Sequence, residues 1–260
     1  PKFDFKEMMR STPIDTYQYI NIKETIKCLA DDSYFHEYKP TYGPGRGDSV
    51  IAGKMWMKGI PVGVIASNAS GVIYIDAARK ATEWMIRCGN SKLPVLFLQG
   101  SPGYMVGKAE EWGGIGKYGS DMVRACTCLD TPKITYVIGP DHGAANYGMC
   151  GRAFKPRFAF TNMRGRTTVM SGETAGFIVE TVRRKNIIDK GGQVNEDEMT
   201  KFRQMMRDRY DAEGHPFYTG SLIFHDGVVA FSEAREKIAR GFEIALRVPI
   251  KESFWGDLKV

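Results

Sequence analysis

Residues 93–107 read LPVLFLQGSPGYMVG, residues 110–129 read EEWGGIGKYGSDMVRACTCL, and residues 132–152 read PKITYVIGPDHGAANYGMCGR. The apolar run at 93–98 has strand length and no polar alternation, which predicts a strand buried on both faces. The run at 134–138 repeats that pattern. Between the two runs, Ile115, Tyr118, Met122, Cys126 and Leu129 recur at helical spacing. Strand, helix and strand in this order predict neighbouring parallel strands joined by a right-handed crossover. Each strand ends in a turn of residues with little or no side chain. Such a turn presents backbone N–H groups rather than side-chain chemistry, which suits an enzyme that needs only to hold a developing oxyanion.

The same alternation extends outward. Upstream, 50–57 and 61–67 are strand candidates joined like a hairpin at Lys58-Gly59. Ala77, Ala81, Trp84, Met85 and Cys88 mark a helix, with Gly89 as its expected C-terminal stop. Downstream, short strands are expected near Phe158 and at 167–170, then a helix over 172–188. Met199, Phe202, Met206 and Tyr210 define a charged amphipathic helix, and Ala234, Ile238, Phe242 and Ala245 define the last. Residues 1–40, polar except for an amphipathic stretch at 22–29, are expected to be a lead-in, and 41–260 a single domain. The loop Tyr42-Gly43-Pro44-Gly45-Arg46-Gly47-Asp48 lacks the Lys-Ser/Thr ending and the preceding strand of a phosphate loop. Its Arg-Gly-Asp triplet is read as chance.

Composition narrows the class. The 260 residues are 43% hydrophobic and 25% charged, enough for one well-cored globular domain. The net charge of +6 favours anionic partners. However, Lys and Arg are dispersed and no RNA-recognition or zinc-finger signature is present, which argues against a nucleic-acid reader. The 5 cysteines are odd in number and unevenly spaced, as in a reducing compartment. Cys126 and Cys128 face different sides of a helix, so no metal site is expected. No run approaches the ~18 apolar residues of a membrane span, and PKFDFKEMMR is not a signal-peptide pattern. The expected setting is cytoplasmic, or the mitochondrial matrix in a eukaryote.

The first turn, Gly100-Ser101-Pro102-Gly103-Tyr104-Met105-Val106-Gly107, lets backbone approach a ligand closely. The second, His142-Gly143-Ala144-Ala145-Asn146-Tyr147, opens a helix whose first N–H groups lack partners and favour negative charge. A donor aimed at an oxyanion is worth ~2.7–4 kcal/mol in such a site. The alternative, that small residues only let a helix pack tightly on the sheet, stands beside it. His142 lacks a well-placed carboxylate, since Asp141 is merely adjacent, and reads as structural. Ser101 and Ser171 flank glycines without forming Gly-x-Ser-x-Gly. Glu110 and Glu111 open a helix and suit its dipole, and one is also placed to touch a ligand at the turn.

PGYMVGKAEEWGGIGKYGSDMVRA followed by TPKITYVIGPDHGAANYGMCGRAFKPRF resembles the C-terminal half of the carboxyltransferase (beta) subunit of biotin-dependent acyl-CoA carboxylases, nearest the methylcrotonoyl-CoA and geranyl-CoA carboxylase types. The similarity runs upstream through Gly59-Ile60-Pro61-Val62-Gly63-Val64-Ile65-Ala66. Downstream it runs through Val169-Met170-Ser171-Gly172-Glu173 to Asp226-Gly227-Val228. It implies an α/β fold of the ClpP/crotonase type, a spiral of strand-strand-helix units. It implies transfer of a carboxyl group from carboxybiotin to an acyl-CoA through an oxyanion-stabilised enolate, with the cofactor supplying the base. By position, the N–H groups of Ala144 and Ala145, with Gly143, would form the oxyanion hole for the biotin ureido oxygen. Gly103, Tyr104, Gly107 and Glu111 would border the biotin pocket, and Tyr147 would face the acyl group. Biotin on a carrier protein and a CoA thioester are the implied cofactor and substrate, with no metal. The implied partners are an N-terminal carboxyltransferase half, a biotin carboxyl carrier and a biotin carboxylase in a homo- or hetero-oligomer, with no nucleic acid and no membrane span. A biotin-dependent decarboxylase subunit and a non-catalytic scaffold subunit are the alternatives.

Overall fold

A computed structural model describes residues 1–3, 5–6, 18, 20–68 and 71–255. In chain order come helix α1 (Ile22–Leu29), strand β1 (Phe35–Glu37), the hairpin β2 (Val50–Met57) and β3 (Ile60–Ser67), and helix α2 (Ile75–Asn90). Strand β4 (Val95–Ser101), helices α3 (Lys108–Gly113) and α4 (Ile115–Cys128), strand β5 (Lys133–His142) and helix α5 (Gly143–Gly148) follow. Strands β6 (Phe158–Thr161) and β7 (Arg166–Thr168) lead to helices α6 (Gly172–Asp189), α7 (Glu196–Glu213) and α8 (Pro216–Ser221). Strand β8 (Gly227–Val228) and helix α9 (Phe231–Ala245) are the last regular elements among the described residues.

The strands form a sheet in the order β1-β2-β3-β4-β5-β6-β8, with β7 also paired to β5. β1, β2 and β3 are antiparallel; from β3 onward neighbours are parallel. Lys58 (φ 51°) and Gly59 (φ 78°) are both left-handed, the backbone a two-residue hairpin needs. The Asp31 carboxylate accepts both of their N–H groups at 2.8 Å. Because side chains alternate across a strand, Leu96 and Leu98 of β4 pack with α1 and α9, while Val95 and Phe97 pack with α2 and α4. Both layers are closed, as the unbroken apolar runs predict.

Residues 22–37 do more than lead in. Ile22, Ile26 and Leu29 are buried in the same core as α9, and β1 forms the sheet's edge. The sequence hid this because a polar stretch carries the α1 stripe and a strand of only 3 residues. Gly89 is also not a helix stop: α2 continues to Asn90, with Ser91 as its C-cap. A Cβ on Gly89 would lie 2.2 Å from the Trp255 ring, so the glycine serves close packing.

α6 and α7 form an antiparallel pair. Cβ atoms on Gly172 and Gly176 would lie 2.7 and 2.8 Å from the carbonyls of Arg207 and Arg203, so only glycine permits this close crossing. β4 and β5 end side by side, Ser101 opposite Asp141, with an irregularity after Gln99. The two turns singled out in the sequence therefore meet at one end of the sheet.

Candidate functional site

The first turn is held by its own serine. Ser101 is fully buried; its Oγ donates to the Gly71 carbonyl at 2.6 Å and accepts from the Gly103 N–H at 3.3 Å. That hydroxyl shapes the turn. Gly103 (φ 153°) and Gly107 (φ 134°) face open space, with no atom within 4 Å of a built Cβ. Tyr104 contributes backbone alone, because its ring turns inward. A Cβ on Gly148 would lie 2.2 Å from the Tyr104 hydroxyl and one on Gly119 3.3 Å from the ring. Burial pushes this phenol far above its usual range. The ring packs beneath the turn, so Tyr104 borders the turn's surface through its backbone.

Glu111 is exposed, and its N–H donates to the Gly107 carbonyl at 2.9 Å. Its neighbour Glu110 points inward, is 6% exposed and pairs with Arg46 at 3.0 Å. Both acids suit a helix N-terminus; the resemblance pointed to Glu111, while the inward ion pair is made by Glu110. The ion pair brings loop 42–48 against α3. Gly45, Arg46, Gly107 and Glu110 line a cleft of about 420 Å³ there. That loop, unassigned from its sequence, is part of the first turn's surroundings.

The second turn passes from β5 into α5 through Gly143 (φ 57°), where a Cβ would sit 3.0 Å from the Val169 carbonyl. Ala144 and Ala145 lie in the first helical turn, whose N–H groups have no intrahelical acceptor. The preceding His142 makes no side-chain cap. Ala144 is exposed and Ala145 fully buried, so Ala144 is the donor residue at the surface. Tyr147 is half exposed and its ring lies 5.3 Å from that of Phe154.

Alternation sends Asp141 and His142 to opposite faces of β5. The fully buried Asp141 carboxylate accepts from Gln99 Nε2 at 2.5 Å, Asn146 Nδ2 at 2.7 Å and Thr167 Oγ1 at 3.0 Å. It thereby ties β4, α5 and β7 together directly under the turn. Desolvation lifts its pKa to about 7, against the lowering effect of the Asn146 and Thr167 hydrogen bonds. His142 Nδ1 lies 2.8 Å from Thr168 Oγ1, which donates to the Met170 carbonyl, so Nδ1 carries the proton. Burial lowers the His142 pKa to about 4. This histidine is neutral and structural, as its sequence context suggested.

Beside α5 lies a pocket of about 210 Å³ reached by Gln99, Asp141, Asn146, Tyr147 and His225. Gln99 and His225 were not singled out in the sequence. A glutamine in an otherwise apolar buried strand was the available signal for the first. His225 is brought in by the irregular loop after α8, which has no sequence periodicity.

A carboxyl transferase domain family model matches residues 1–257. The chain belongs to that family. It is 33% identical over its full length to the biotin-dependent 3-methylcrotonyl-coenzyme A carboxylase beta1 subunit of Mycobacterium tuberculosis, covering 48% of that protein. It is also 33% identical over 96% of its length to the mitochondrial methylcrotonoyl-CoA carboxylase beta chain of Dictyostelium discoideum, covering 42% of it. Among solved structures, the beta subunit of Pseudomonas (P. aeruginosa) geranyl-CoA carboxylase superposes with a TM-score of 0.86 at 28% identity, covering 98% of this chain and 48% of that one. Transcarboxylase 12S superposes with a TM-score of 0.81 at 25% identity. The chain thus spans about half the length of the relatives it matches. The crotonase-type fold expected from the resemblance is shared with these carboxyltransferases. Among the described residues of this family member, no helix is long and apolar enough to cross a membrane.

Proposed function

We propose that the chain forms the biotin-receiving half of a biotin-dependent acyl-CoA carboxyltransferase site, with its place in the C-terminal half of the longer relatives resting on the motifs quoted above. The observation that carries this reading is the uncapped turn at Ala144, presented beside a first turn whose Gly103 and Gly107 face open space. Carboxybiotin, when bound, supplies both the carboxyl group and the base. The residues present fit its ureido head: the N–H groups of Ala144 and, beneath it, Ala145 would hold the carbonyl oxygen, and Gly103 and Gly107 leave room for a flat ring.

The chain's own contribution is electrostatic and positional. Backbone donors at a helix N-terminus oppose charge build-up on an oxygen without reorganising. Gly143 sets the angle at which they leave the strand, and the Asp141 hydrogen bonds hold that angle. Tyr147 stands at the rim where the acyl group would lie, and Glu111 at the outer edge of the first turn. The other half of the site comes from a complementary carboxyltransferase half, and the carboxyl group from a biotinylated carrier charged by a biotin carboxylase.

Ala144→Pro tests the assignment. The substitution removes the Ala144 donor; because a residue before proline is pushed toward extended backbone, the urea midpoint checks that the Gly143 turn survives. In a complex assembled with the complementary half, a carboxybiotin carrier and an acyl-CoA, carboxyl transfer should fall by ~10²–10³ while the urea midpoint is unchanged. An undiminished rate would remove Ala144 from the site.

A further inference from the structure

We infer that Asp141 is a positioning residue for the second turn, which holds an oxyanion well while the Asp141 carboxyl is protonated and less well once it ionises. The inference rests on the carboxyltransferase reading, because only there does an oxygen at Ala144 gain negative charge.

Asp141 stands three residues before Ala144, so their Cα atoms are at most ~11 Å apart. Its carboxyl is also bonded at 2.7 Å to Asn146, inside the short helix that the turn opens. The group is fully buried, and its partners Gln99, Asn146 and Thr167 are all neutral. An ionised Asp141 therefore puts an uncompensated negative charge under the donors that have to stabilise a second one. Two like charges ~10 Å apart at an effective dielectric of ~20 disfavour each other by about 10-fold in an equilibrium constant.

The neutral form keeps every contact. Thr167 faces Asp141 in the β5–β7 register, and its hydroxyl, which donates to the carboxylate at 3.0 Å, can turn and accept from the protonated acid. Asn146 and Gln99 still donate to the remaining lone pairs. Charge, not shape, is what the proton changes. Burial lifts that change to about pH 7, against the Asn146 and Thr167 hydrogen bonds. The titratable and charged groups that share the 210 Å³ pocket with Asp141 are Arg152, Tyr147 and His225. Arg152 Nη1 is held by both Asp226 oxygens at 2.9 Å. His142, with a pKa of about 4, lies on the opposite face of β5 and stays neutral above pH 6. His225 is thus the competing source of a titration near neutrality, the range typical of its residue type.

The test assays the assembled complex from pH 6 to 8.5 as the parent, Asp141→Asn and His225→Gln, at pH values where near-ultraviolet dichroism shows all three folded. The ratio of Asp141→Asn to parent kcat should rise about 10-fold across that range, with the ratio of their KM values for acyl-CoA constant. His225→Gln should keep the parent profile. A pH-independent kcat ratio, or a profile that His225→Gln abolishes, overturns the inference. A second arm needs no turnover: carbon-13 NMR follows the Asp141 carboxyl of the unassembled chain with and without saturating biocytin, the biotinyl-lysine amino acid. Its titration should move up by about half a pH unit on binding, and biocytin should bind about 3-fold more weakly at pH 8.5 than at pH 6, since the coupling is reciprocal. A purely structural carboxyl shows neither effect, and a midpoint that biocytin leaves in place overturns the inference while the carboxyltransferase reading stands. If biocytin leaves the Ala144 amide signal unmoved and no complex transfers carboxyl, that reading itself fails and takes the inference with it.

Discussion

Asp141→Asn isolates the consequence of placing a carboxylate under the turn. The folded-state pKa of about 7 lies above the ordinary aspartate value of 3.8, so between those pH values the folded chain binds more protons than the unfolded one. The group's contribution to stability is greatest below pH 4 and is lost as pH rises through 7. Three pKa units at ~1.4 kcal/mol each set that loss at about 4 kcal/mol. His142 runs the other way: its pKa falls from 6.5 to about 4, so its stabilising effect is present above pH 6.5 and is lost as pH falls through 4. Between pH 4 and 6.5 the slopes of these adjacent residues nearly cancel. Asn at 141 removes the ionisation, and a flipped Gln99 amide can still bond it, which also pairs the orphaned Oε1. The variant's stability relative to the parent should therefore grow by about 4 kcal/mol between pH 4 and pH 8, whatever constant offset the altered hydrogen bonds add. Urea unfolding at half-unit pH steps, with the m-value checked for constancy, measures this difference. The variant alone should also show the His142 decline below pH 6.5. A pH-independent difference between the two chains would refute the claim that Asp141 is a desolvated carboxyl.

Two further substitutions probe how the turns are supported. Gly148→Ala places a methyl 2.2 Å from the Tyr104 hydroxyl and 3.2 Å from Met122 Sδ, both in the packed interior. It should cost about 1–3 kcal/mol by overpacking, and a urea midpoint within error of the parent would show that the Tyr104 ring is not confined as described. Arg46→Ala removes the partner of the buried Glu110 carboxylate, one oxygen of which already lacks a hydrogen bond. Amide exchange in loop 42–48 and at the start of α3 should accelerate, while α9 keeps its protection; unchanged exchange in the loop would mean that the ion pair does not hold it.

The main strands and the long helices were legible because their signals are local. Val95, Leu96, Phe97 and Leu98 are each fully buried, the outcome that four consecutive apolar residues predict for a central parallel strand. Lys58-Gly59 showed its hairpin because a glycine between two apolar runs supplies the left-handed backbone a two-residue turn needs. β1 and β8, of 3 and 2 residues, carried no readable period. Gly89 was misread because a glycine after an apolar stripe looks the same whether it ends a helix or lets Trp255 approach it. A one-dimensional pattern does not contain that distinction.

The site divides along the same line. The backbone donors at Ala144 could be expected, since a run of small residues after a strand is itself the signal. What holds that turn could not, because it depends on which face each residue takes at the sheet's end. Asp141 and His142 are neighbours in sequence, yet one bonds Gln99, Asn146 and Thr167 on one face and the other meets Thr168 on the opposite face. Adjacency alone argued against a catalytic couple; alternation makes them two separate structural anchors with opposed titrations. A turn proposed to hold an oxyanion through backbone donors needs such anchors more than a side-chain site does. Its donors are fixed only by backbone angles, so the rigidity must come from bonds made just before and after the turn.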